Sequence, residues 1–461
     1  MNVQVPQLSF SIWRLSRFDR LVLLTIACLL ALVGGLIWRG DRVGITAAEI
    51  WPPPDAGNVS TLTSLRITFD QAMITDSAII TLTPAASGGT HWSGNTLVFT
   101  PDKPLAPDTL YTASVAAPLH SQQGQQLLHP ITWQFRTRQP RILYLAPDAQ
   151  DRQQLFLAAL DDQPAIQLTQ SSYDVTDFAV SPDAAHIVYS LTLADGSSNL
   201  WLMPAAGGDS QLLVDCQGAV CSAPAWSPDG RRLIYERRNP VLAGAPPGPP
   251  RLWWVDVASG QSVPVFADSQ WLGMSPRLSP DGRWLSYNAP FTQQVQAYNL
   301  ETGQIVTMPS QTGEPTAWSP DSRELLLTEI QIQGEQFAIH IFSANVYSNT
   351  LTNLSGGLNV SDGFPTWSFD GQWIAFNRKL PRAPMGKQLW LMRPNGRDTR
   401  QLTQDADVHH GPPHWSPDGR YLLFQRFVLT RPSEPGIWLI DVTTQTQQEI
   451  ARIGIQPAWL P

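Results

Sequence analysis

A serine and an aspartate two residues apart stand in the stretch WSPDG at 226–230, and again at 415–419. A serine nucleophile worked through an acid–base partner would use these residue types. The pair is not confined to two places. Related stretches are VSPDA (180–184), WSPDG (226–230), LSPDG (278–282), WSPDS (318–322), WSFDG (367–371) and WSPDG (415–419). They supply Ser181 and Asp183, Ser227 and Asp229, Ser279 and Asp281, Ser319 and Asp321, Ser368 and Asp370, and Ser416 and Asp418. A nucleophile is needed once, with a base in reach. No G-x-S-x-G elbow occurs in the sequence. Ser-Pro-Asp-Gly is instead the residue order of a β-turn, with proline presetting φ and glycine at the fourth place. Ser and Asp side chains also bond nearby backbone N–H groups. All six pairs therefore read as structural turns, and no catalytic residue is assigned.

Two other sets carry candidate chemistry. His409, His410 and His414 lie in DADVHHGPPH (405–414) with Asp405 and Asp407, residue types that hold a divalent metal. The nearest competitors, His186 and His340, fall inside strand-like segments, so no second histidine loop completes a site. These histidines read as polar loop residues, with a metal set as the alternative, and no cofactor is expected. Cys216 and Cys221, in DCQGAVCS, are too few for a structural zinc site. They form a local disulfide in an oxidising compartment or stay as two thiols. Cations gather in three long segments, RRNPVLAGAPPGPPR (237–251), RKLPRAPMGKQ (378–388) and RFVLTRPSEPG (426–436). Arg237, Arg238, Arg378, Lys379, Arg382, Lys387, Arg426 and Arg431, with His409 and His410, are the candidate binding residues; the alternative is solvated loop charge.

The elements that position these residues follow from the repeat. Successive serines are 46, 52, 40, 49 and 48 residues apart, the period of a β-propeller blade. Four residues after each Asp comes Ile or Leu, as in Ile187, Leu233 and Ile374. Six residues after it comes Tyr, Leu or Phe, as in Tyr189, Tyr235 and Phe424. That spacing of two makes a strand with one buried face. A third strand follows in each unit, such as NLWLM (199–203) or QLWLM (388–392), then a weaker fourth. Before the first turn, RILYLA (141–146), QLFLAAL (154–160) and AIQLT (165–169) match a blade lacking its innermost strand. The chain ends in IQPAWLP, which supplies that strand. Residues 140–461 number 322, or 46 for each of seven blades. Seven blades are expected, with six or eight as alternatives, and the shared blade leaves no open sheet edge. Loops entering the innermost strands and loops joining the second and third strands share one face, opposite the turns. The long cationic segments fall on that face, where function on a rigid scaffold usually sits.

Ahead of the repeats, Leu21 to Trp38 carries no charge over 18 residues, about 27 Å of helix. Three arginines (14, 17 and 20) precede it and two (39 and 42) follow. A cytoplasmic tail (1–20), a transmembrane anchor (21–38) and a linker (39–49) are expected, with a cleaved signal peptide as the competing reading. The rest of the chain would then lie outside the cytoplasm of a bacterial cell. The net charge of −8 and the absence of a basic run of five exclude a nucleic-acid footprint. Forty prolines and 18 tryptophans in 461 residues fit short strands joined by turns.

Residues 50–138 alternate in polarity, as in SLRITFD (64–70), and form six or seven short strands of a small sandwich. The order TFDQAM (68–73), NTLVFTPDKPLAPDTLYTASV (95–115) and WQFRT (133–137) resembles bacterial Ig-like domains, which implies a spacer without chemistry. Asp70 and Asp76 read as turn residues. WSPDG, the aromatic-ended strand, LW-x-M and QLT resemble the PD40 repeats of TolB-type propellers over 140–461. That resemblance implies an all-β chain: a sandwich and a propeller behind one N-terminal helix. Its relatives include periplasmic scaffolds, peptidase-linked propellers and metal-dependent oligogalacturonate lyases. The expected function is binding of a protein, peptide or envelope glycan, with a metal-dependent polysaccharide lyase as the alternative.

Overall fold

The computed structural model describes residues 17–40, 44–74, 78–127, 129–161, 163–240, 246–268, 270–334, 336–357, 359–381, 386–405, 407–430 and 433–461. Arg14, Arg42, Asp76, Arg382 and Arg431 lie outside them. The helix Arg17–Gly40 forms from a run of helix formers without proline. Its described side chains, including Leu21, Leu24 and Leu30, are exposed. Among the described residues no helix is long and apolar enough to cross a membrane.

The sandwich has two four-stranded sheets. One holds Ala47–Trp51, Leu65–Phe69, Thr96–Pro101 and Gly88–Ser93; the other holds Ala56–Val59, Ile131–Thr137, Leu110–Val115 and Ile80–Thr83. Alternation drives their packing: Leu65, Ile67 and Phe69 point inward, where they meet Leu97, Tyr111 and Phe135. The module starts before residue 50, within the expected linker. Ile45 is in the core, and Thr46 donates from N and Oγ1 to the Asp70 carboxylate at 3.2 and 2.6 Å. Asp70 thus staples the entering chain.

The rest of the chain forms seven blades. Blade 2, for example, comprises Val220–Trp226, Arg232–Arg238, Arg251–Asp256 and Ser262–Pro264 from the inside outward. Blade 7 takes its innermost strand, Ile455–Leu460, from the chain end. That strand pairs antiparallel with Arg141–Pro147, placing Arg141 opposite Leu460 and Ile142 opposite Trp459. Each second strand buries both faces. Ile187, Leu233, Leu285, Leu325, Ile374 and Leu422 pack toward the preceding blade, whereas Val188, Ile234, Leu326, Ala375 and Leu423 pack toward the next. Seven apolar clusters result, one per blade interface, and they close the ring.

Candidate binding channel

The repeated turns are fully committed to backbone bonding. In all six, the serine hydroxyl donates to the aspartate Oδ1 at 2.5–2.7 Å. The same serine Oγ accepts an N–H from the start of the second strand, as from Arg232 and Tyr421 at 2.9 and 2.8 Å. Residue four of each turn donates its N–H back to the serine carbonyl, as Gly230 does at 2.9 Å. That residue has positive φ, which favours glycine. Ser and Asp therefore hold a turn, and the serine hydroxyl is bonded to its own turn's aspartate.

The innermost strands line a central channel, and their shape comes from a bulge in each of several blades. Ala223, Ser275, Phe364 and Gln456 adopt positive φ at equivalent places three residues before the tryptophan position. Such residues resist this conformation, so something must hold it. In three of the four, carboxylates do: Asp177 Oδ2 accepts Ala223 N at 2.8 Å, Glu236 Oε1 accepts Ser275 N at 2.6 Å, and Glu314 Oε2 accepts Phe364 N at 2.9 Å. A second device is a polar residue seven after the turn aspartate, namely Ser190, Glu236, Asn288, Thr328, Asn377 and Gln425. Several of these reach the next blade. Ser190 Oγ donates to Cys221 O. Asn288 Nδ2 donates to Gly313 O and Glu314 O at 3.0 and 3.2 Å. Asn377 Nδ2 donates to His410 O, and to Gly411 O at 3.0 Å. The tryptophans add a third device. The indoles of Trp226, Trp318, Trp415 and Trp459 donate to the carbonyls of Ala179, Arg277, Thr366 and His414 in the preceding blade, at 3.0–3.3 Å.

Because the residue at the tryptophan position turns into the blade interface, the residue before it faces the channel. It is small in five blades: Ala179, Ala225, Ala317, Thr366 and Ala458. In the other two it is Arg277 and His414. The cavity there measures about 680 Å³ and is walled by Phe178, Phe364 and a series of prolines, with Gln425 and Gln456 among its polar groups. Arg277 Nη1 donates to Pro276 O at 3.0 Å; among the described residues it makes no ion pair. The His414 ring is open to the channel but surrounded by protein. Desolvation, then the charge of Arg277, lowers its pKa to about 4, so the imidazole is neutral near pH 7. Desolvation also lowers the pKa of Arg277 against the pull of Asp177 and Glu236, and it raises that of Asp177 despite two backbone N–H bonds. Sequence reasoning missed Arg277 altogether. The signal was present: a long cation in a column that elsewhere holds alanine or threonine.

The residues expected to bind fall into different settings. Arg378 is buried and makes a bidentate pair with Asp362, Nε–Oδ1 and Nη2–Oδ2 both 2.7 Å. It sits directly opposite Asp362 in the strand register and stacks near Phe376 and Trp390. It is a structural ion pair and cannot face a ligand. Arg238 lies 3.4 Å from the carboxylate of Glu236. Arg237 lies over Trp253 and donates to Cys216 O at 3.2 Å and to Asn239 Oδ1 at 2.9 Å. Arg426 covers Trp438 and lies 3.5 Å from Asp405. Lys379 is exposed and Lys387 half-buried. Cys216 and Cys221 are joined in a disulfide and buried.

The three histidines do not converge. His409 stacks on Phe427 and accepts the Lys387 N–H at Nδ1, 3.4 Å. His410 is buried, donates from Nδ1 to Lys387 O at 3.2 Å and places Nε2 3.4 Å from Asp405; burial lowers its pKa. His414 is in the channel. Among the described residues no cluster of three or more metal-ligating side chains forms, so the histidine metal site considered from sequence does not fit this arrangement.

Comparison with known proteins gives two family matches. Residues 251–424 match the model of the TolB β-propeller domain (PD40), and residues 41–137 that of a bacterial Ig-like domain. An uncharacterized protein of Agrobacterium fabrum is 25% identical over 219 residues, covering 44% of this chain and 70% of that one. The crystal structure of TolB from Acinetobacter baumannii is 14% identical with a TM-score of 0.44, covering 83% of each chain. An oligogalacturonate lyase in complex with manganese is 15% identical with a TM-score of 0.41, covering 59% of this chain and 72% of that one. The chain thus carries a match to a bacterial Ig-like domain over 41–137 and one to the TolB β-propeller domain over 251–424.

Proposed function

We propose that this protein is a membrane-anchored extracytoplasmic scaffold that binds a protein, peptide or envelope-glycan partner through the loop face and channel of its propeller. The observation that carries this reading is the contrast between the turns and the channel they border. At one end, the Ser–Asp turns spend their polar groups on their own backbone. The sandwich also leans there, with Lys103 and Pro104 lining a crevice with Ser368, Phe369 and Asp418. Inside the channel, two residues before the turn serines Ser279 and Ser416, Arg277 and His414 have side chains open to solvent. A rigid ring presenting unengaged polar groups in a concavity is a binding device. The helix Arg17–Gly40, with its exposed apolar side chains, supports an anchor, since the uncharged sequence continues to Trp38.

The test is photo-cross-linking in cells from a reactive amino acid placed at Gln456 in the channel or at Arg323 on the turn face. The expected result is a discrete adduct from position 456 and none from 323. Adducts from 323 alone, or from neither, contradict the reading.

A further inference from the structure

The chain carries a net charge of −8, yet its channel presents a cation, Arg277, that makes no ion pair among the described residues, although Asp177 lines the same cavity. Among the described residues Arg277 bonds only to Pro276 O, so most of its five N–H donors are free. The carboxylates that attract it, Asp177 and Glu236, are held elsewhere. Asp177 accepts the N–H groups of Ala223 and Phe178, both at 2.8 Å. Glu236 accepts Ser275 N at 2.6 Å and lies 3.4 Å from Arg238. Moving either toward Arg277 would release a bulge held at positive φ. The guanidinium therefore keeps free donors within the cavity that it lines.

The surroundings indicate what it would receive. His414, open to the same cavity, is neutral near pH 7 and has an N–H to donate. It adds hydrogen bonding without a second charge, which suits a singly charged carboxylate better than a phosphate dianion. Much of the wall is apolar, with Phe178, Phe364, Pro315, Pro365, Pro413 and Pro457, and Asp177 and Thr316 are among its polar groups. That surface accommodates apolar side chains, and Gln425 and Gln456 can meet peptide amides. A glycan would instead require many acceptors for its hydroxyls. Lys379 and Lys387, without ion pairs among the described residues, belong to blade 5 at the loop face and favour entry of an anion from that side.

We propose that the channel is a receptor for a carboxylate carried on an acidic peptide segment, with Arg277 holding the carboxylate and His414 donating a hydrogen bond beside it. This rests on the propeller being a binding module, and it adds the ligand chemistry and the specificity-determining residue.

The test uses the full chain in detergent and two labelled hexapeptides, Pro-Leu-Pro-Ala-Asp-Glu with a free C-terminus and its neutral counterpart Pro-Leu-Pro-Ala-Asn-Gln-amide, read by fluorescence anisotropy. The acidic peptide is expected to bind at least about tenfold more tightly than the neutral one. Arg277→Gln abolishes that preference, Arg277→Lys keeps part of it, and Arg323→Gln on the turn face leaves it intact. Added salt weakens only the acidic peptide. The comparison on the unmodified protein needs no variant, so a misfolded Arg277→Gln leaves the test decisive. Equal binding of the two peptides, no binding of either, or a preference that survives Arg277→Gln overturns the proposal. Tighter binding of trigalacturonate than of the acidic peptide overturns the peptide assignment. An adduct from position 456 in cells, with no acid preference here, would leave the binding function standing and remove only the carboxylate.

Discussion

At the scale of single residues, context decided what a charged or reactive type does. Six Ser–Asp pairs are turns because each Oγ and Oδ1 is within bonding distance of the other or of a backbone N–H group. That was legible in the sequence, since six copies at blade spacing cannot serve one site. Arg378 was not legible. Its neighbour Lys379 is exposed, and only the register that sets Arg378 opposite Asp362 reveals a buried pair. Arg378→Ala leaves Asp362 buried and unpaired, and is expected to cost about 3–5 kcal/mol. Denaturant unfolding checks this, and an unchanged midpoint would contradict it. His414 makes a pH prediction. Its pKa is about 4 folded against an ordinary value of 6.5. Between these values the unfolded chain binds a proton that the folded chain does not, so stability falls as pH drops from about 6.5 toward 4. His409 and His410, also lowered, act in the same sense. His414→Gln should flatten, without abolishing, the fall in melting temperature over that window. A slope equal to that of the unmodified protein would count against it.

At the scale of strands and blades, apolar patterning carried most of the fold. The spacing-of-two rule located the second strand of each blade, because both of its faces are buried between neighbours. The bulges were not legible, since their cause lies in another blade. A carboxylate or amide from one second strand fixes the backbone of the next innermost strand, as Glu236 fixes Ser275 and Asn377 fixes residues 410 and 411. The sequence trace of this device is a polar residue just after the buried aromatic, at a place where packing alone would put an aliphatic one. Asn377→Ala removes the donor to two carbonyls, and a loss of about 1–3 kcal/mol is expected. Amide exchange at 408–415 should quicken in the same variant. Unchanged stability and exchange would show that the bulge holds itself.

At the scale of the whole molecule, the ring is closed by the last strand and tied to the sandwich through Arg138. Arg138, the residue that follows the sandwich's last strand, donates from Nε to Pro461 O at 2.8 Å and from Nη2 to Ala184 O at 3.3 Å. One guanidinium thus joins the sandwich, the chain end and the first turn of the propeller. Closure at Ile455–Leu460 was legible, because the ends together supply one blade and AW recurs in it. Removing residues 455–461 exposes the edge of Arg141–Pro147 and strips Trp459 and Leu460 from two interface clusters. In calorimetry the propeller of the truncated chain is expected to unfold at a lower temperature and less cooperatively than that of the full chain. The most direct measurement of the central claim is amide hydrogen exchange on the full chain, free and bound to the partner captured from position 456. The account predicts new protection in the innermost strands 274–278, 361–367 and 455–460, with the six turns unchanged. Protection confined to the turns or to the outermost strands would contradict it.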